Sequence, residues 1–120
     1  MQKRFAQLIC ALLVFAVALG PQTVRAQAAP QRIEITAKRF AFAPAEITVK
    51  RGQPVVLVLK SVDVAHGVRF RDLNVSVRVK AGGTAEVQFT PTQTGNFVGH
   101  CYVFCGTGHG SMAITLHVVG

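Results

Sequence analysis

The chain has 120 residues, half of them apolar, with 13 basic against 5 acidic side chains and a formal net charge of +8. That length holds one domain and excludes a second. No internal repeat or low-complexity tract divides it, and no acid–base pair or activated nucleophile stands out as an independent catalytic centre.

Lys3 and Arg4 precede an apolar run from Phe5 to Gly20 that only Gln7 interrupts, and Pro21 ends it. Val24-Arg25-Ala26 then offers small residues for a signal peptidase. Residues 1–26 therefore read as a secretory signal. The rival reading is an uncleaved single-span anchor, for which the run is a little short of the roughly 20 residues a membrane needs. Cys10 lies too near the start of the run for a lipidation site. Either way the domain is expected outside the cytoplasm, in a periplasm or on the outer face of the cytoplasmic membrane. Cleavage after Ala26 would remove Lys3, Arg4 and Arg25 and leave +5, still basic, with Cys101 and Cys105 as the remaining cysteines.

Residues 27–31 read as a linker and 32–120 as the folded domain. Ile33, Ile35 and Ala37 alternate with polar residues, the mark of a half-buried strand, and Phe40 and Phe42 are expected to continue it to Pro44. Glu46 to Val49 is a short strand followed by a turn at Lys50-Arg51-Gly52-Gln53-Pro54. Val55 to Leu59 is nearly continuous and β-branched, as in a strand covered on both faces. Val68 to Phe70, Val75 to Val79 and Ala85 to Phe89 give further strands, and Thr94 to Val98 feeds a cysteine-rich loop. Ile114, Leu116 and Val118 form one face of a closing strand, with His117 on the other. About seven or eight short strands with frequent turn signals predict an all-β sandwich.

The loop carries the chemistry. Gly99 to Met112 contains Cys101, Cys105, His109 and Met112 in the spacing C-x3-C-x3-H-x2-M. Two thiols, an imidazole and a thioether form a soft donor set, which favours copper over hard cations. Gly106, Gly108 and Gly110 suit a backbone that must wrap closely. His66 stands alone 35 residues before Cys101, in Asp-Val-Ala-His-Gly. In an exported domain a Cys101–Cys105 disulfide is the plain alternative; the His and Met at ligand spacing speak for metal. Met112 is in phase with Ile114 and Leu116, so a core role competes with ligation. Asp63 is read first as a turn residue that could also orient His66. His100 is read as an ordinary polar neighbour, His117 as an outward-facing residue, and the phenylalanines as core.

An upstream His followed by Cys, His and Met in the loop before the last strand resembles the cupredoxin family. The resemblance implies a Greek-key cupredoxin β-sandwich with copper at one end. The second cysteine is similar to the dinuclear copper A centre of oxidase subunit II and nitrous oxide reductase. That implies two copper ions, with Cys101 and Cys105 as bridging thiolates. His66 would bind one ion and His109 the other. Met112 would be a weak ligand beside His66, and the main-chain carbonyl of Val103 a weak ligand beside His109. Val103 departs from the Glu or Trp common there, but only its carbonyl is used. The implied activity is single-electron transfer, from a donor such as a cytochrome c to an oxidase or reductase. The chain would be an electron-entry subunit with no catalysis of its own. An exported protein that stores or delivers copper to an oxidase is the alternative. Two departures matter: many subunit II chains begin with a transmembrane hairpin, and their docking face for basic cytochrome c is acidic with an exposed aromatic. A basic domain without Trp implies a donor that is not strongly basic, with some association to anionic lipid headgroups possible.

Overall fold

The computed structural model describes residues 16–22 and 29–120. Most of the segment expected to be a signal or anchor, with Cys10, lies outside the described residues. Among those described, no helix is long and apolar enough to cross a membrane. Nine strands form among the described residues: β1 (Gln31–Lys38), β2 (Ala41–Ala43), β3 (Glu46–Lys50), β4 (Val55–Ser61), β5 (His66–Phe70), β6 (Val75–Val79), β7 (Thr84–Phe89), β8 (Gly95–Cys101) and β9 (Ala113–Val119). They make two sheets, ordered β2-β1-β4-β7 and β3-β9-β8-β5-β6. β1 runs parallel to β4 and β3 parallel to β9; the other pairs are antiparallel. The chain changes sheet after β2, β3, β4, β6 and β7. The all-β sandwich expected from the sequence is what forms, with single 3-10 turns at Arg71–Leu73 and His109–Ser111 and no α-helix among the described residues.

Alternation explains the core. Ile35 and Ala37 of β1 and Val55, Leu57 and Leu59 of β4 face Ile47, Val49, Val68, Phe70, Val77, Ile114 and Leu116 of the other sheet. Burying each large aliphatic side chain contributes about 1.5–3 kcal/mol. β4 is covered on both faces, as its continuous apolar run requires: Val56 and Val58 are buried too. They lie on the outer face, where the Arg32–Glu86 ion pair (2.6 Å) joins the strands on either side.

One expectation fails. The alternation from Ile33 to Phe42 is not one strand. The chain reverses at Arg39–Phe40, so that Lys38 pairs with Ala41 and Ala37 with Phe42. The pattern contains the reason: apolar residues occupy odd positions up to Ala37 and even positions from Phe40. That phase slip needs a turn. Phe42 returns to the core, while Phe40 stays partly exposed. This short β2 also raises the strand count above the seven or eight expected.

Candidate metal centre

Two connections meet at one end of the sandwich. The first is the crossover from β4 to β5, which ends in His66. Asp63 shapes it: its Oδ1 accepts the Val64 N–H (2.7 Å) and the His66 Nε2–H (2.6 Å), and its Oδ2 accepts the Arg39 N–H (2.8 Å). Desolvation is the largest single influence on this carboxyl and pushes it upward. The hydrogen bonds from Arg39, His66 and Val64 together outweigh it and bring the pKa down to about 2. Asp63 is thus an anion that engages Nε2 of His66, which leaves Nδ1 as the ring nitrogen available to a ligand. His66 is fully buried, and Nδ1 has no hydrogen-bond partner among the described residues. The turn role first read for Asp63 holds, but its larger role is to fix the tautomer and plane of His66.

The second connection is the loop from β8 to β9. Its ends are tied by the Cys101 N–H to the Met112 carbonyl (3.0 Å). Inside it, the N–H groups of His109, Ser111 and Met112 donate to the carbonyls of Gly106, Gly108 and His109. The loop brings its sulfurs together. Cys101 Sγ and Cys105 Sγ lie 3.9 Å apart, nearly twice the ~2.05 Å of a disulfide, and both cysteines are free thiols. Cys105 Sγ is 3.7 Å from His109 Nδ1 and 3.8 Å from Met112 Sδ. The Val103 carbonyl oxygen lies 3.2 Å from Cys101 Sγ. A ring nitrogen of His66 and both sulfurs lie within 4.8 Å of one another, and all three residues are buried. All six candidate positions, His66, Cys101, Val103, Cys105, His109 and Met112, therefore converge. Met112 is fully buried, so its core position and its place beside the sulfurs are the same fact.

Burial pushes the Cys105 thiol up to about 11, helped by its hydrogen bond to Cys101 and the neighbouring charge there. Cys105 therefore holds its proton at neutral pH until a cation replaces it.

One more expectation needs correction. Phe104, read with the other phenylalanines as core, is not: it is 79% exposed, its ring 5.7 Å from that of His109. Tyr102 is half-buried beneath the Arg69 guanidinium, 4.3 Å away. His100 is exposed on β8, in register with Arg69. His117 bonds Asn96 (2.6 Å) on the outer face. The loop glycines accommodate not only a metal site but a ring. A Cβ at Gly108 would stand 2.5 Å from Phe40 Cγ, and one at Gly106 2.8 Å from Phe40 Cε1, where φ is +137°. Arg39 extends the same contact, its Nε–H donating to the Cys105 carbonyl (2.8 Å). Neither Arg39 nor Phe40 was singled out from sequence; the phase slip after Ala37 was the available signal.

A Greek-key β-sandwich with a Cys/His/Met loop before its last strand and a buried His at the same end defines a class of metalloprotein. The chain belongs to the cupredoxin-like domain family, which it matches over residues 8–114. It is similar to cytochrome c oxidase subunit 2 of Thermus thermophilus, 31% identical over 105 residues, covering 82% of this chain and 78% of that protein. Among solved structures, a haem–copper terminal oxidase is 27% identical with a TM-score of 0.66, covering 76% of this chain and 66% of that one. The periplasmic domain of subunit II of cytochrome oxidase from Bradyrhizobium japonicum has the same fold, with a TM-score of 0.69 at 21% identity, covering 76% of this chain and 85% of that one.

Proposed function

We propose that this domain holds two copper ions as one redox unit and relays single electrons from a protein donor to an oxidase or reductase. The observation that carries the reading is the buried, unpartnered Nδ1 of His66 at a site where a ring nitrogen of that residue meets two thiols. An orphaned lone pair in a dry site is destabilising unless a ligand takes it. Asp63 supplies the carboxylate–imidazole pairing typical of metal-binding histidines.

The donor set suits a soft ion. Its spread supports two ions over one. His109 is close to Cys105 but outside the 4.8 Å group of His66, Cys101 and Cys105 found among the described residues. Two imidazoles that do not share one compact group around the sulfur pair suit two ions better than one. Copper bound here would supply reversible one-electron chemistry with little change of geometry. The protein's part is to keep the donors fixed. Cys101 and Met112 stand at the ends of paired strands, and His66 begins a central one. His66, Cys101, Cys105 and Met112 are all buried, which favours a retained cofactor over the storage or delivery reading.

Arg69, Arg71, Tyr102, His100 and His109 line a cleft of about 310 Å³ that reaches Cys101. Arg69, Arg71 and Arg78 form no ion pair among the described residues. This cationic rim supports an acidic donor over a basic one. The N-terminal signal reading supports a site of action in the periplasm or on the outer membrane face.

The test is copper titration of the purified domain with electron paramagnetic resonance. Two ions per chain and a seven-line hyperfine pattern are expected. Cys101→Ser should lose that pattern, leaving at most a four-line signal. One ion per chain in the wild type refutes the dinuclear reading, and none refutes copper altogether.

A further inference from the structure

The two halves of the site come from connections far apart in sequence, and one residue reaches both. Among the described residues, Arg39 alone hydrogen-bonds to Asp63, through its main-chain N–H, and to the Cys105 carbonyl, through Nε. Its neighbour Phe40 lies against Gly106 and Gly108 so closely that neither could carry a Cβ without displacement. The β1–β2 turn is thus a strap laid across the metal loop. Its guanidinium is the cation fixed beside the paired sulfurs.

We propose that Arg39 is a positioning residue: it locks the Cys105–Met112 segment into its binding shape before metal arrives, and it holds a positive charge beside the centre that favours the reduced state. Arginine suits both tasks, because its planar N–H array can direct one bond to a carbonyl and its charge persists at any ordinary pH. The bond to Asp63 is made by main chain and survives any non-proline substitution, so changing the side chain leaves the His66 half intact. A nearby cation opposes the net positive charge gained on oxidation, so its removal lowers the reduction potential. Only this electrostatic role rests on the copper-carrier reading; the locking role concerns the metal-free protein.

Arg39→Met and Arg39→Lys separate the roles. In the metal-free protein, Arg39→Met should speed amide hydrogen exchange at His109, Ser111 and Met112, whose N–H bonds define the loop, while exchange in β4 and β9 stays unchanged. Its copper affinity should fall about tenfold, as for loss of other groups that orient metal ligands. Its reduction potential should fall, and Arg39→Lys should restore the potential. Unchanged exchange at those three amides overturns the lock, as does protection lost evenly across both sheets. A potential that falls equally in both variants, or in neither, overturns the charge role. If the wild type binds no copper, the carrier reading fails alone, and exchange still decides the strap.

Discussion

Met112 shows how one side chain can belong to the core and to the site. It is fully buried: it continues the inward phase of Ile114 and Leu116, and its sulfur lies 3.8 Å from that of Cys105. Leucine has nearly the same volume, so Met112→Leu should change the unfolding free energy of the metal-free protein by less than about 1.5 kcal/mol. As the copper ligand proposed above, the thioether would be a weak donor that stabilises the more oxidised centre and so tunes potential. Met112→Leu should therefore keep its copper and show a higher reduction potential by voltammetry, opposite in sign to Arg39→Met. A changed copper stoichiometry would mean that Met112 does more than tune. Sequence spacing was enough to nominate Met112 and its neighbours as candidates, because donor type and spacing are local. It could not show that Asp63 pins His66, since that depends on a carboxylate also holding Arg39 and Val64.

Elements carry the site only because they pack tightly behind it. β8 lies between β9 and β5 and delivers Cys101 at its end. Phe70 of β5 lies across Gly99: an added Cβ would meet Phe70 Cε1 at 2.7 Å, Cζ at 2.8 Å and Val68 Cγ2 at 2.9 Å. The ring and the valine are both buried and have nowhere to go. Overpacking of this kind typically costs about 1–3 kcal/mol, so Gly99→Ala should lower the urea midpoint of the metal-free protein by that free energy with the slope unchanged. An unshifted midpoint would show that Phe70 can move, and that the floor of the site is softer than its burial implies. Strand existence was largely legible from alternation, because one face of each strand is buried. The hairpin at Arg39–Phe40 was not, because two aromatics at even positions continue a period-two pattern to the eye while reversing its phase. The consequence reaches the candidate site: the misread turn is the proposed strap over the cysteine loop.

At the scale of the whole molecule, net charge was readable from composition, but its placement required the sheet order. Antiparallel pairing of β5 with β8 and β6 sets Arg69 level with His100 and Ser76, and Arg78 level with Gly67. The 3-10 turn after β5 adds Arg71, with Asp72 as its acidic neighbour. The outer face of one sheet, next to the cleft at Cys101, thereby gathers cations that have no ion-pair partner among the described residues. Such a face acts on encounter over about 10 Å at 0.1 M salt and hardly at all at 1 M. Electron transfer from an acidic redox protein to the copper-loaded domain should therefore slow as salt rises, whereas transfer from a basic cytochrome should quicken as repulsion is screened. Arg71→Glu, at a residue that lines the cleft but is not itself a proposed ligand, should slow the acidic donor about tenfold at low salt, with the paramagnetic spectrum of the domain unchanged. Stopped-flow rates at several ionic strengths with both donors measure this directly. Rates independent of salt for both would mean that docking is governed by the exposed Phe104, and that the arginines serve only to keep the surface hydrated.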